Sequence, residues 1–137
     1  GADVRHGGGQ AYYSPASDSV HMPNVERFIG SGTSTPTESY YGVLLHELTH
    51  WTKTKERCDR PSPLEFEKEA YAVEELVAEL GAAFLCADLG VTQEPRPDHA
   101  QYVEHWLTVL KADNRAIFKA AAQASKAAEF LKGRQGV

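Results

Sequence analysis

The feature that most constrains the fold is the segment at residues 44–51, which reads LLHELTHW. His46 and His50 lie four positions apart, and Glu47 directly follows the first histidine. Residues four apart lie on the same face of an α-helix, one turn from each other. The apolar flanks predict such a helix, which would direct both imidazoles toward one point.

Two imidazoles on one helix face are a typical beginning of a zinc site, because zinc binds histidine nitrogen and prefers four tetrahedral ligands. Glu47 lies about 100° round the helix from His46, beside an ion rather than on it. There it could take a proton from metal-bound water, as in the His-Glu-x-x-His pattern of zinc peptidases. The alternative is a structural helix that carries these residues by coincidence. The helical context favours the metal site.

A catalytic zinc site needs a third protein ligand, and the next predicted helix, from 64 to 89, offers candidates. An apolar stripe runs along this helix, and the nearly opposite side combines acids with small residues, which predicts close packing. A buried carboxylate without a partner is costly, and metal coordination relieves that cost. The glutamates of this segment are Glu67, Glu69, Glu74, Glu75 and Glu79.

We predict Glu75 as the third ligand, because it lies on the side with the small residues. Glu79, one turn further on, is predicted to accept a hydrogen bond from the second nitrogen of a ligand histidine. Glu74 and Glu69 stay open as alternative ligands, and Glu67 is expected to be solvated.

The rest of the chain predicts a small β region followed by helices. Two short β-favouring runs, at 11–13 and 19–22, flank a Ser-Pro-Ala-Ser-Asp turn and predict an antiparallel hairpin. A short helix is expected after Asn24, and Thr37 is the expected N-cap of the first long helix. The long helices are predicted at 38–52, 64–89, 99–111 and 114–132. Segregated strands and helices indicate one α+β domain over residues 1–137.

Charge and composition exclude some classes of function. The net charge of -5 argues against a broad nucleic-acid-binding surface. No apolar run approaches the roughly 18–20 residues that span a membrane. Cys58 and Cys86 are expected to be free thiols, which indicates a reducing, cytoplasmic setting.

Other polar side chains are weaker candidates. His21 lies on a predicted strand that could pair with an extended peptide substrate by β-augmentation. Tyr71, His99 or His105 could donate a hydrogen bond to a developing oxyanion, although packing or solvation is the default role for each. The HGGG stretch at 6–9 resembles an esterase oxyanion loop, but the chain has no G-x-S-x-G motif, so a turn is expected.

Four stretches together resemble one known family. They resemble the C-terminal zincin-like metallopeptidase domain of ArdC-type antirestriction proteins, a domain also found in TraC-type plasmid primases. The stretches are AYYSPASDSVHMP, LLHELTHWT, EAYAVEELVAELGAAFLCADLG and YVEHWLTVLKADNRAIFKAAAQASKAAEFL, and they cover nearly the whole chain in order.

The resemblance implies a protein of plasmids, phages or other mobile elements that protects incoming DNA from host restriction. It implies an N-terminal single-stranded-DNA-binding domain, which we expect to be absent from this chain. It also implies metal binding by His46, His50 and an acid of the 74–79 segment, with Glu47 as the base. Related zincins place the third-ligand glutamate four residues before an acid or amide, as Glu75 and Glu79 stand here, although aspartate is commoner at the second position.

The sequence thus predicts a zinc-dependent peptidase domain with a protein or peptide substrate, for which a host restriction factor is the candidate. Mn²⁺ could occupy the same ligands. The main alternative is a metal-stapled binding module that blocks a host factor without proteolysis. A regulatory protease that cleaves a repressor would share the same site. Direct contact of this domain with nucleic acid or membrane is not expected.

Overall fold

A computed structural model describes residues 1–60, 68–92 and 100–134. In these ranges three short strands come first, and a one-turn 3-10 helix and four α-helices follow, which confirms the predicted α+β class. Residues 64–67 of the predicted second helix, and His99, lie outside the described residues. The elements are β1 (Asp3–His6), β2 (Tyr12–Ser14), β3 (Ser19–Met22), the 3-10 helix (Val25–Arg27), α1 (Pro36–Trp51), α2 (Lys68–Leu89), α3 (Ala100–Ala112) and α4 (Ala116–Lys132).

The sheet has the order β1-β3-β2, so the last strand in the chain lies in the centre. β2 pairs with β3 in the antiparallel sense, which confirms the hairpin. β1 pairs with β3 in the parallel sense, so the sheet is mixed rather than wholly antiparallel. The chain crosses from β1 to β2 through Gly7 and Gly8, whose φ angles of 136° and 70° favour glycine. Val20 and Met22 of β3 are fully buried and pack in one cluster with Trp51 of α1.

The central position of β3 corrects one expectation about His21. The strand that carries this histidine has β1 on one edge and β2 on the other. An added peptide strand needs an unpaired edge. The prediction that the strand of His21 pairs with a peptide substrate is therefore wrong, because β1 adds to the edge that the hairpin leaves open.

Helix α1 begins two residues earlier than expected. Thr35, not Thr37, is the N-cap, and its side chain accepts a hydrogen bond from the Glu38 backbone while Glu38 accepts from the Thr35 backbone. Pro36 then occupies the first helical position, where a missing N–H does no harm. Glu38 also accepts a hydrogen bond of 2.7 Å from the backbone N–H of Thr92, just beyond α2. This carboxylate therefore ties the start of α1 to the end of α2.

Helices α1 and α2 approach closely at Gly81. A Cβ added to this glycine would lie 2.6 Å from Cγ2 of Thr49, well inside van der Waals contact. Thr49 itself is fully buried, and its hydroxyl donates to the Leu45 carbonyl. Ala78 and Ala82 on the neighbouring turns of α2 are fully buried. The predicted packing of the small-residue side of α2 is thus present, and α1 is its neighbour.

The remaining helices cover the other side of α2. Ala120 and Ala124 of α4 are buried in one cluster with Val77 of α2. From α3, the indole N–H of Trp106 donates to the Ala72 carbonyl at 2.5 Å. Helix α2 therefore lies between α1 and the α3–α4 pair, which fixes its rotation.

Cys58 and Cys86 are both buried and both free, as expected. Among the described residues, no helix has the length and apolarity to cross a bilayer.

The first prediction concerns the close contact between α1 and α2. Gly81→Ala should lower the free energy of unfolding by about 1–3 kcal/mol, because overpacking a tight contact costs this much. The gain in helix propensity, at most about 1 kcal/mol, offsets only part of a cost in the middle or upper part of that range. Urea denaturation measures the difference. The double variant Thr49→Ser/Gly81→Ala removes the clashing Cγ2 and should recover part of the loss, and a single variant as stable as the parent would contradict the prediction.

The second prediction concerns pH and the start of α1. Hydrogen bonds from the backbones of Thr92 and Thr35 lower the pKa of Glu38 to about 2. A lowered folded-state pKa adds stability that is complete above the ordinary pKa of 4.5 and is lost as pH falls toward 2. Glu38→Gln should therefore lower Tm at pH 7, and the gap to the parent should close between about pH 4.5 and 2.

The matched control is Glu56→Gln, since Glu56 is an exposed glutamate in the loop after α1. Thermal unfolding of all three chains across this pH range checks the expectation. A gap that stays constant with pH would assign the effect of Glu38 to packing instead of charge.

Candidate metal centre

Helices α1 and α2 bring His46, His50 and Glu75 together. The Nε2 atoms of the two histidines lie 3.2 Å apart. Each oxygen of Glu75 faces one of them, Oε1 at 2.9 Å from His46 Nε2 and Oε2 at 3.1 Å from His50 Nε2. One ligand atom from each of the three residues lies within 4.8 Å of the others. The predicted convergence of these three side chains is therefore present.

The other ring nitrogen of each imidazole, Nδ1, contacts a further carboxylate. Oε1 of Glu79 lies 2.5 Å from Nδ1 of His46, as the sequence predicts for a residue one turn after Glu75. Oε1 of Glu74 lies 3.2 Å from Nδ1 of His50. A carboxylate at Nδ1 favours the tautomer with its proton there, which directs the Nε2 lone pair to the shared point.

Glu74 is the alternative ligand whose side chain the structure describes. It contacts Arg60 and Nδ1 of His50 instead of the point between the two histidines. Both of its oxygens accept hydrogen bonds from Arg60, at 3.0 Å from Nε and 2.9 Å from Nη2. Its carboxylate therefore lies behind His50, whereas Glu75 lies between the two histidines. The side chain of Glu69, the other alternative, lies outside the described residues, as does Glu67.

Arg60 is the residue that sequence reasoning missed. It follows α1 in a polar segment that looks solvated, yet it is buried beside Glu74. The available signal was indirect, because several acids on a buried helix face require a compensating cation.

The donor set fits a divalent metal ion. Two imidazole nitrogens and a carboxylate are ligands that Zn²⁺ and Mn²⁺ both accept. His46 is almost fully buried, and His50 and Glu75 are largely so. Preformed donors whose outer nitrogens already contact carboxylates match the usual surroundings of a metal-binding histidine.

The electrostatics of the cluster favour a cation. Burial alone would lower the pKa of His50, but contacts with Glu74 and Glu75 outweigh it and raise the pKa to about 9. The pKa of His46 is also raised, since Glu75 and Glu79 overcome its burial. Burial would raise the pKa of Glu75, and the two histidines instead hold it far below its ordinary value. Positive charge at this point, from protons or from a metal, is therefore strongly stabilised.

Glu47 is buried, with 4% of its surface exposed. It follows His46 on α1, and its charge contributes to the raised pKa of that histidine. Glu47 is thus a buried carboxylate that directly follows a predicted metal ligand, and its role as proton acceptor stays a prediction.

Of the weaker candidates, the structure describes the side chains of His21 and Tyr71. His21 stacks on Tyr12 at 4.5 Å between ring centroids, and its Nε2 lies 2.9 Å from the Ser19 hydroxyl. Tyr71 lies one turn before Glu75 on α2, with half its surface exposed. The side chain of His105, like His99, lies outside the described residues.

The family to which the chain is similar is shown by a match over most of its length. The family of zincin-like metallopeptidases (MPTase-PolyVal) matches residues 1–123. This range contains every element named above as far as the first turns of α4.

Curated relatives show the same domain in longer proteins. The chain is 45% identical over 135 residues to the uncharacterized protein y4eC of Sinorhizobium fredii, covering 98% of this chain and 42% of that protein. It is 40% identical over 132 residues to a DNA primase TraC of Escherichia coli, covering 96% of this chain and 12% of the primase. The chain thus spans less than half the length of these relatives.

The chain is also similar to about half of a longer protein of known structure. The Mn(II)-bound crystal structure of the antirestriction protein ArdC from plasmid R388 matches with a TM-score of 0.84 and 45% identity, covering 97% of this chain and 48% of that one. The metal-free structure of ArdC matches with a TM-score of 0.82 and 44% identity, covering 96% of this chain and 45% of that one.

The third prediction tests the ligand set. Purified wild-type chain should contain about one divalent ion, and Glu75→Ala should lose most of it, because a three-ligand site then keeps only two protein donors. Elemental analysis after dialysis with Zn²⁺ or Mn²⁺ measures the content. Glu56→Ala removes an exposed acid and serves as the control. Full metal content in Glu75→Ala would mean that a residue other than Glu75 is the third ligand.

Proposed function

The chain belongs to the zincin-like metallopeptidase family, and on that premise we propose that it is the metal-dependent peptidase domain of a mobile-element antirestriction protein. One observation carries the proposal. His46, His50 and Glu75 direct three donor atoms to one point, and Glu47 is buried next to His46 on the same helix.

In the proposed site His46, His50 and Glu75 hold the metal, with Zn²⁺ as the first expectation and Mn²⁺ as the alternative. The bound ion supplies Lewis acidity, which lowers the pKa of water from about 15.7 toward 7 and polarises a carbonyl. Glu79 and Glu74 keep the imidazoles of His46 and His50 in the tautomer that leaves each Nε2 free to bind.

Glu47 moves the proton in this proposal. Its carboxylate takes a proton from the attacking water and later gives it to the leaving amine, so one residue acts as base and then as acid. Tyr71, exposed near Glu75, is a proposed contact for substrate or transition state, and His21 is a weaker one.

The substrate is proposed to be a protein or peptide, with a host restriction factor as the candidate. Similarity to ArdC, whose structure is that of an antirestriction protein, supports this setting. A cytoplasmic location follows from the same proposal. The net charge of -5 supports a division of labour in which this domain does not itself bind DNA.

A second candidate function is a binding module without proteolysis. The converging ligands come from two helices, so an ion there would join α1 to α2. Such an ion could stabilise a surface that blocks a host factor by contact alone. In this case the proton acceptor would be dispensable and the ligands would not.

The fourth prediction separates the two candidates. Glu47→Gln should keep fold and metal but reduce peptide cleavage by about 10²–10⁴-fold, because general-base catalysis contributes this much. Cleavage of a diverse peptide library, read by mass spectrometry, measures the loss. Protection of incoming plasmid DNA in a conjugation assay is measured beside it, with full-length protein.

The control is Glu56→Gln, which should match wild type in both assays. His46→Ala should abolish protection under either candidate. Protection that survives Glu47→Gln but not His46→Ala would reject the peptidase and favour the binding module.

A further inference from the structure

We infer that Arg60 is a positioning residue of the metal centre, which acts through Glu74 on the imidazole of His50. The inference rests on the metal ligands of the proposed function and does not depend on peptide cleavage.

Arg60 holds Glu74 by both of its oxygens. Nε lies 3.0 Å from Oε2 and Nη2 lies 2.9 Å from Oε1, which is the paired geometry of a guanidinium on a carboxylate. Two parallel hydrogen bonds fix the plane of the carboxylate as well as its position. Glu74 therefore presents Oε1 to His50 in one defined orientation.

The guanidinium is itself anchored to the last turn of α1. Nη1 donates to the Thr52 hydroxyl and Nη2 donates to the Thr49 carbonyl, both at 2.7 Å. The Thr52 hydroxyl donates in turn to the Thr49 carbonyl at 2.6 Å. Arg60 thus bridges the helix that carries His50 and the helix that carries Glu74.

The loop after α1 is folded so that it delivers Arg60 to this place. The backbone N–H of Arg60 donates to the Lys53 carbonyl at 3.0 Å, and that of Cys58 donates to the Thr52 carbonyl at 2.9 Å. Asp59, just before Arg60, has a φ of 49°, in the left-handed region that few residues other than glycine, asparagine and aspartate adopt. A left-handed residue next to a buried arginine whose side chain makes four hydrogen bonds indicates that the loop secures the position of this side chain.

The consequence for His50 follows from its two nitrogens. Glu74 Oε1 lies 3.2 Å from Nδ1, and Glu75 Oε2 lies 3.1 Å from Nε2. With Glu74 fixed, its Oε1 holds the imidazole ring at Nδ1, so that Nε2 is directed to the point shared with His46 and Glu75. Without Arg60, Glu74 loses its fixed plane and its buried charge loses a partner, so the imidazole of His50 loses its orientation.

The test uses Arg60→Met, Arg60→Lys and Glu74→Gln, singly, and the double variant Arg60→Met/Glu74→Gln. Arg57→Met is the matched control, because Arg57 lies in the same loop but pairs with Asp18 and stacks on Trp51. Affinity for Zn²⁺ and for Mn²⁺ is measured by competition with a chelator. The visible spectrum of the Co²⁺-loaded chain reports the geometry of the ligands.

Arg60→Met should weaken metal binding by about 10–100-fold, the usual effect of removing an outer partner of a ligand, and should alter the Co²⁺ spectrum. Arg60→Lys should recover part of the affinity, because it keeps the charge but not the planar fork. The double variant should bind no more weakly than the worse single variant, since both residues act along one path. Arg57→Met should keep both affinity and spectrum.

A folded Arg60→Met chain with wild-type affinity and spectrum would overturn the inference, and so would fully additive losses in the double variant. Should Arg60→Met fail to fold, the folded Arg60→Lys and Glu74→Gln chains decide by the same criteria. A wild-type chain that binds no metal would overturn the proposed function and the inference together. If the Glu47→Gln result rejects the peptidase assignment, the metal affinities of the Arg60 variants still decide the inference about Arg60.

Discussion

The close approach of α1 and α2 is the contact on which the rest of this structure depends. Glutamate has a short reach, and Glu75 contacts both His46 and His50 only because Gly81 and Thr49 let the two helix backbones come together. A larger residue at the crossing would separate the carboxylate from the imidazoles. The middle of the His-Glu-x-x-His segment is therefore constrained as tightly as its ends, since Thr49 fills the crossing and its carbonyl receives Arg60.

Burial strengthens the interactions among the charged side chains around His46 and His50. Glu47, Glu74 and the near-buried Glu75 and Glu79 place four carboxylates around two histidines, and Arg60 supplies one permanent cation. In a medium of low dielectric such an excess of negative charge is tolerated only with protons or a metal at the centre. The raised pKa of both histidines has the same cause, because without a metal the carboxylates favour protonated imidazoles. Positive charge at the point shared by His46, His50 and Glu75 therefore offsets the excess of carboxylates, whether protons or a cation supply it.

Local patterns in the sequence predicted much of the site. The four-residue spacing of His46 and His50, and the side of α2 that carries Glu75 and Glu79, follow from helical geometry alone, and the structure has both. The predicted N-cap of α1 was wrong by two residues, although Thr35 and Glu38 have the spacing of a capping box. The parallel pairing of β1 and the burial of Arg60 could not be predicted in the same way. Each depends on a partner that only the folded chain brings near, and each lies in a short or polar segment without periodicity.

The outer strands of the mixed sheet have a consequence for how this domain behaves in concentrated solution. β1 and β2 are the two edges, and unpaired strand edges invite a second chain to add by backbone hydrogen bonding. β1 carries an exposed ion pair between Asp3 and Arg5, and β2 is only three residues long. Charge on one edge and brevity on the other are both features that hinder edge-to-edge aggregation. The sheet thus packs against α1 and offers little template for intermolecular β-structure.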